Sequence, residues 1–446
     1  MSAGKSYPST VREAGGGINP ADNKLRPEDR AAHDWYRFVL SFPPHLIRNY
    51  AEQFGLSPTA TVLDPFCGTG TTLVECKKLG IASIGIERNP MAWFASRVKL
   101  DWKIDPDALM SHAMEVAADA AGRLASEGLS EDSSLPLFSR CRPAHLKLRE
   151  LNADSHRLLL RDSISPIPLH KTLVLIESLE RHRDAQFSDH EILALARAIV
   201  SDISNLHFGP EVGVGRPKTD AAVVSSWLNC VRMIAADLRR LKRLPDVHST
   251  VYLADAREVN TTVAAGVVDA VITSPPYPNE KDYTRTTRLE SVILGFLKDK
   301  RELRALKQQL VRSNTRSVYK RDDDDHLIAQ NAEIRQLAEE IERRRIQLGK
   351  TSGFERMYPR VTKLYFGGMA RHLAELRKVL KPGARLAYVV GDQASYLRVM
   401  IRTGRLLADL ANSLGYTVEG VDLFRTRFAT ATGESLREEV VILRWD

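Results

Sequence analysis

The chain is 446 residues long, 43% hydrophobic and 27% charged, with a formal net charge of +8. That is enough for a large core, and for more than one domain or one domain with big insertions. The basic balance favours an anionic partner such as nucleic acid without requiring one. The four cysteines (Cys67, Cys76, Cys141, Cys230) are scattered with no C-x-x-C, which argues against a disulfide framework or a zinc knuckle and fits a reducing cytoplasm. The first residues, MSAGKSYPSTVREAGGGINPADNK, contain no apolar core of signal-peptide length, and no stretch is apolar enough to span a bilayer. The expectation is a cytoplasmic protein that keeps off membranes, with a flexible tail over residues 1–30.

Short apolar strands recur along the chain. TVLDPF (Thr61–Phe66) is the first and ASIGIE (Ala82–Glu87) the second, separated by a helical TTLVECKKLG that ends on Gly80. Helical periodicity then dominates from Pro106 to Leu244. Inside it, Asn205–Val223 is rich in glycine and is the expected non-helical loop. Strands resume with TVYLAD (Thr250–Asp255) and VDAVITS (Val268–Ser274). A charged helical region follows, from Glu290 to about Gly349. HLAELRKVLKPG reads as a helix closed by Pro-Gly, before ARLAYVVGD (Ala384–Asp392). RVMIRTGRLLADLANSLG reads as the last helix, followed by TVEGVDLFRTRF (Thr417–Phe428) and EEVVILRW (Glu438–Trp445). Helices alternating with the first five strands predict a mostly parallel sheet covered on both faces. The last two strands are joined too tightly for a crossover, so the seventh is expected to run antiparallel.

Two loops leave strand ends in ways that packing alone does not require. In LDPFCGTGTT (Leu63–Thr72), Gly68 and Gly70 permit a tight turn and close approach of a ligand to the backbone. The helix start behind them offers free amide groups. A lone G-x-G also suits an NAD site or an ordinary turn. There is, however, no G-x-x-x-x-G-K-[ST], and Leu73 occupies the place of a third dinucleotide glycine. Glu87, closing the second strand, is placed to accept from ribose hydroxyls, and Asp64 offers a carboxylate to a ligand ammonium. Ribose plus ammonium points to S-adenosylmethionine. The second loop is Ser274-Pro275-Pro276-Tyr277, where two prolines without N–H donors end a strand.

DPFCGTGTT together with TSPPY resembles the amino-methyltransferases of DNA, over roughly His33–Asp105 and Thr250–Asp446. FPPHL (Phe42–Leu46) matches the family's Phe-containing segment upstream of the glycine loop, and Asp255 its acidic residue after the third strand. The resemblance implies a Rossmann-like α/β fold: a seven-stranded, mostly parallel sheet with an antiparallel last strand and two largely helical insertions. It implies S-adenosyl-L-methionine as cofactor, with Asp64, Pro65, Phe66, Gly68 and Gly70 around the methionine part. Glu87 would take the ribose, Asp255 the adenine amino group, and Phe42 would line the pocket. It implies Ser274, Pro275, Pro276 and Tyr277 as the catalytic loop, acting on an exocyclic amine of a base flipped out of double-stranded DNA. Ser at the first catalytic position favours cytosine-N4; adenine-N6 is the alternative, and guanine-N2 of tRNA or rRNA a more distant one. A separate restriction nuclease would be the partner of such an enzyme. No metal is called for.

The expected organisation is a tail (1–30), a first part of the cofactor-binding core (31–105) and a helical insertion that is a candidate target-recognition region (106–248). The catalytic part of the core (249–289), a charged helical insertion that is a candidate DNA-binding arm (290–355) and the C-terminal part of the core (356–446) complete it. The aspartate run Asp322–Asp325 is expected to be an exposed loop.

Overall fold

The computed structural model describes residues 12–13, 25–37, 41–130, 147–208, 211–279, 281–429 and 433–446. Cys141 and most of the expected tail lie outside them. The tail expectation meets structure at Pro27–Asp29, a single turn whose Asp29 is buried and paired with Arg48 at 2.9 Å.

Seven strands make the central sheet: β1 (Thr61–Asp64), β2 (Ala82–Glu87), β3 (Ser249–Leu253), β4 (Val268–Thr273), β5 (Leu380–Gly391), β6 (Thr417–Ala429) and β7 (Glu434–Arg444). A two-residue strand, Arg12–Glu13, adds to the outside of β6. Across the sheet the order is β6-β7-β5-β4-β1-β2-β3. Strands β3, β2, β1, β4 and β5 are mutually parallel. β7 runs antiparallel between β5 and β6, as the short last connection requires. This is a Rossmann-like sheet with an antiparallel strand near one edge. β4 carries Val268, Ala270, Val271 and Ile272 with no exposed surface, the continuous apolar run of a strand covered on both faces.

The topology decides where a ligand can sit. From β1 the chain moves outward to β2 and β3, then crosses back to β4 on the other side of β1. Val62 and Leu63 of β1 pair directly with Ala270 and Val271 of β4. Strand order therefore reverses between two adjacent strands, and the crevice outside their carboxyl ends is the natural binding place in open α/β sheets. The glycine loop leaves β1 there and Ser-Pro-Pro-Tyr leaves β4 beside it.

Helices follow apolar spacing. α1 (Pro44–Gln53) and α2 (Thr71–Lys78) cover one face, and α3 (Pro90–Lys99) follows β2. Asn89 caps α3 by accepting from the Met91 amide at 3.1 Å. The stretch between α3 and β3 forms a bundle of α4 (Pro106–Ser126), α5 (Pro166–Arg181), α6 (Ser188–Ala198) and α7 (Val223–Leu241), centred on Val116, Val174, Leu195 and Trp227. Within the expected non-helical segment, Leu206–Phe208 and Val212–Val214 pair as a small antiparallel ribbon. Beyond β4, α8 (Ala332–Gln347) packs Ile334 and Ile341 against α9 (Tyr358–Leu376).

Two element boundaries differ from the sequence reading. Pro382-Gly383 does not close a helix: α9 ends at Leu376, and β5 already includes Lys381-Pro382-Gly383. Gly383 takes φ +81°, and the β4–β5 pairing shifts register there, which is where a strand tolerates a residue without an N–H. The last helix, α10 (Thr403–Ser413), starts five residues late. Leu397 and Arg398 adopt φ of 57° and 64°, and Ile401 bridges back to Gln393, so the segment is committed to a turn before the helix begins.

Candidate active site

A cavity of about 640 Å³ opens at the switch point. Its walls include Phe42, Pro65, Phe66, Gly68, Glu87 and Asp255 on one side and Ser274, Pro275, Pro276 and Tyr277 on the other. Of the residues singled out in the sequence, Asp64 and Gly70 are not on its wall.

Asp64 is a correction to the sequence reading. It is fully buried beneath the loop, and its carboxylate is already engaged. Oδ1 accepts from the Thr273 hydroxyl at 2.6 Å and the Phe66 amide at 3.1 Å; Oδ2 accepts from the Thr72 hydroxyl at 2.6 Å. Burial raises its pKa from 3.8 to about 6, against the pull of those three bonds. Instead of facing a ligand ammonium, Asp64 fastens the end of β1, the start of α2 and the end of β4 to one another. Gly70 serves the same end: at φ +86° it caps α2, and a Cβ there would lie 2.5 Å from the Ser96 Oγ of α3. Gly68, at φ +53°, has open space where a Cβ would point and lies on the cavity wall. The buried Lys99 reaches back from α3 to the Thr69 carbonyl at 3.2 Å, and burial lowers its pKa to about 7.

Glu87 is held from behind by the loop it serves. Its Oε2 accepts from the Gly68 amide at 2.9 Å and Oε1 from the Asn89 amide at 2.7 Å. Each oxygen keeps a further lone pair for a ligand hydroxyl. Burial raises this carboxyl to about 7, partly offset by the amide donors. Phe66 presents its edge to His372, with ring centroids 4.9 Å apart. His372 is buried, its pKa lowered by burial to about 4, so it is neutral. One ring nitrogen meets the Ala256 carbonyl at 2.8 Å and the other the Tyr388 hydroxyl at 2.7 Å.

Asp255 is bound by Arg257 through both oxygens, with Nη2 at 2.7 Å from Oδ2. Arg257 continues to Asp324 at 2.7 Å, and both are nearly buried. Here the expectation of an exposed aspartate run fails. Asp322 and Asp324 turn inward, to Arg312 at 2.8 Å and to Arg257; Asp323 alone among the four is plainly exposed. The charged insertion is thus tied by a buried ionic chain to the wall that carries Asp255. It also forms wall itself, through Lys307, Gln309, Val311, Ser313, Asn314 and Ser317.

On the catalytic side, the Ser274 hydroxyl donates to the Val389 carbonyl of β5 at 3.0 Å. Spending its proton there leaves Oγ an acceptor toward the cavity. The Tyr277 amide donates to the Tyr283 hydroxyl at 3.1 Å, and the Asn279 amide to the Tyr277 carbonyl at 2.8 Å. Burial holds the Tyr277 phenol well above its ordinary pKa, and it stays neutral. The buried Tyr396 hydroxyl links the Ser313 carbonyl at 2.9 Å to the Asn279 carbonyl at 3.4 Å, so the second insertion braces this loop. The sequence reading missed Arg257, Asp324, His372, Tyr396 and the 307–317 wall. Arg257, two residues past Asp255, was the available signal.

The residues fit S-adenosylmethionine: an open glycine backbone, a preorganised carboxylate with spare acceptors, an aromatic wall and enough volume for a drug-sized ligand. Fold and site together define a Rossmann-like sheet with a cofactor-sized cavity between the glycine loop and the Ser-Pro-Pro-Tyr loop. A family described as DNA methylase matches residues 22–93. The chain is 27% identical over 411 residues to the type II methyltransferase M.BsoBI of Geobacillus stearothermophilus, covering 87% of this chain and 79% of that one. It is 24% identical over 429 residues to the type II methyltransferase M.AvaI of a Nostoc species, covering 90% and 81%. TrmN from Thermus thermophilus aligns in structure with a TM-score of 0.30 at 10% identity, over 95% of this chain and 55% of that one. The chain is thus similar to DNA amino-methyltransferases over most of its length, and those enzymes use S-adenosylmethionine. Among the described residues no helix is long and apolar enough to cross a membrane, and no cluster of side chains is suited to hold a metal ion.

Proposed function

We propose that the chain transfers a methyl group to the N4 amine of a cytosine flipped out of double-stranded DNA. S-adenosylmethionine supplies an electrophilic sulfonium methyl. Everything else falls to the protein. An exocyclic amine is a poor nucleophile because its lone pair is delocalised into the ring. Ser274 Oγ and the Pro275 carbonyl accept its two N–H groups, favour a pyramidal nitrogen and release the lone pair. The prolines hold these acceptors in place before the base arrives, so little reorganisation is left for the transition state. Tyr277 stacks on the base. The amine loses its proton after it has become cationic, so no strong general base is needed.

The observation that carries this reading is the Ser274 hydroxyl donating to Val389, which commits its oxygen to acceptance. Glu87 takes the ribose hydroxyls, Gly68 and Phe66 flank the methionine part, and Asp255 and Phe42 border the adenine. Pro65 and Pro276 stiffen the two loops, and Asp64 and Gly70 act from behind. Cytosine is preferred over adenine on the identity of Ser274. The type II designation of the relatives supports a separate nuclease with the same recognition sequence as partner. The test is transfer of labelled methyl to unmethylated duplex DNA and to bulk tRNA in parallel, with the product digested to nucleosides. N4-methylcytosine from DNA is expected. N6-methyladenine would move the reading to the other base, and label on tRNA alone would overturn it.

A further inference from the structure

Resting on the reading just given, we infer that Lys281 and Arg427 form a clamp for one phosphate flanking the flipped nucleotide. The sheet order divides the cavity. Glu87 and Asp255 stand at the ends of β2 and β3, on one side of the catalytic loop. Arg425, Arg427 and Glu438 come from β6 and β7 on the other side, and Lys281, just past Tyr277 on the catalytic loop, shares that part of the wall. This is the half that takes the base. A Cβ on Gly391 would lie 3.0 Å from Tyr277 Cε2 and 3.2 Å from Glu438 Cγ, so the glycine lets the stacking ring lie beside the carboxylate that the two arginines share.

The charges there do not balance. Arg427 pairs in register with Leu436 and Arg425 with Glu438, which puts all four side chains on the cavity face of the β6–β7 ribbon. Arg425 takes Glu438 through Nε and Nη2, the latter at 2.8 Å. Arg427 comes no nearer to that carboxylate than 3.5 Å and is 43% exposed, which places it at the cavity's opening. The Lys281 backbone is pinned: its amide donates to Asn279 Oδ1 at 2.9 Å, and its carbonyl accepts from Asn314 Nδ2 at 3.1 Å. Its ammonium has no ion-pair or hydrogen-bond partner among the described residues. Asp282 and Lys307 satisfy each other at 2.7 Å. Lys281, Arg425 and Arg427 are thus left against Glu438 and Glu211, three cations to two carboxylates, an excess of one positive charge. Burial lowers the Lys281 pKa, and the Arg427 guanidinium lowers it further, against the pull of Glu211 and Glu438. Two cations held near each other in a half-buried wall are costly until an anion comes between them. A base inside the cavity is still joined to its strand, so a flanking phosphate lies at this opening. A guanidinium fork and an ammonium point charge together suit it. Phosphate contacts orient a nucleic acid and carry no sequence information. Lys281 and Arg427 are therefore positioning residues, which hold the base on Tyr277 and do not read it.

The test follows methyl transfer to an unmethylated circular duplex between about 50 and 200 mM salt. It compares wild type, Lys281→Met, Lys281→Arg, Arg427→Met and the double Met variant. Each single Met variant should raise KM for DNA about tenfold, the scale of one charged hydrogen bond, with kcat within about threefold. In the double variant the slope of log KM against log salt should fall by about one, because one phosphate contact is lost. Lys281→Arg should keep most of the wild-type KM. Cofactor affinity in calorimetry should match wild type in every variant, which separates a lost contact from a lost fold. An unchanged KM and salt slope would overturn the clamp, and a fall in kcat alone would give Lys281 a role on the base itself. A slope lowered by about two would also overturn it, since the two cations would then hold separate phosphates. Transfer to no DNA by the wild-type protein would overturn the parent reading and the clamp with it, an outcome distinct from all of these.

Discussion

Replacing Asp64 by asparagine separates a structural role for its carboxylate from a ligand-binding one. Its three donors fit the amide without rearrangement of the backbone. Oδ1 keeps the Phe66 amide and the Thr273 hydroxyl, and the new Nδ2 donates to Thr72 Oγ1, which still has the Ile272 carbonyl at 3.1 Å to receive its own proton. What changes is the charge. A carboxyl raised from 3.8 to about 6 disfavours the folded ionised form by about 3 kcal/mol at neutral pH. Because the folded value is the higher one, its stabilising contribution is complete below pH 3.8 and is lost as pH climbs to about 6. Asp64→Asn removes that slope. The stability of the variant relative to wild type should therefore rise by about 2 kcal/mol between pH 4.5 and 7.5, read from urea denaturation at each pH. S-adenosylmethionine affinity, measured by calorimetry at pH 7.5, should stay within about threefold, since the carboxylate does not reach the cavity. A loss beyond about tenfold with unimpaired stability would mean that Asp64 contacts the ligand. A stability difference flat with pH would mean that its burial costs nothing.

Ser274→Ala should reduce kcat by about 100-fold or more while cofactor affinity, followed by calorimetry, is retained. Tyr277→Ala should weaken transfer to DNA by roughly 5- to 150-fold, the range of one lost stack, in steady-state assays. Because the folded Glu87 carboxyl sits near 7, cofactor affinity should increase as pH rises from 6 to 8, when the ionised form offers all its acceptors to the ribose; Glu87→Gln should flatten that profile. Asp324→Ala leaves Arg257 with Asp255 alone in a buried site, so it should cost about 3 kcal/mol in denaturant unfolding and weaken cofactor binding as well.

Much of the frame was legible in the sequence because it rests on local rules. Val268–Thr273 reads as a covered strand from its apolar run alone, and the nine-residue link between Phe428 and Glu438 fixed the direction of β7. The cavity-lining positions Phe66, Glu87 and Ser274 follow from a motif at a strand end. What was not legible depends on long-range partners. Asp64 looks like a ligand-binding carboxylate until Thr273, more than two hundred residues later, is seen to donate to it. Asp322–Asp325 looks solvated until Arg257 and Arg312 are brought beside it. Pro382-Gly383 has the composition of a helix stop, and only its pairing with β4 reveals a bulge. In each case the local pattern was sound and a distant residue decided its use.

The sheet order has a consequence for how the chain assembles. β3 pairs with β2 alone, yet 161 residues separate Glu87 from Ser249. Closing so long a loop carries an entropic cost that is met before any ladder bond forms, and non-local pairing of this kind slows folding. The four-helix bundle between them has its own apolar centre, and it brings Ser249 back to the sheet when it forms. The bundle thereby turns a long random closure into a short one, across which the edge strand of the cofactor fold can dock. Asp255, two residues past that strand, becomes part of the cofactor wall only when that docking is done.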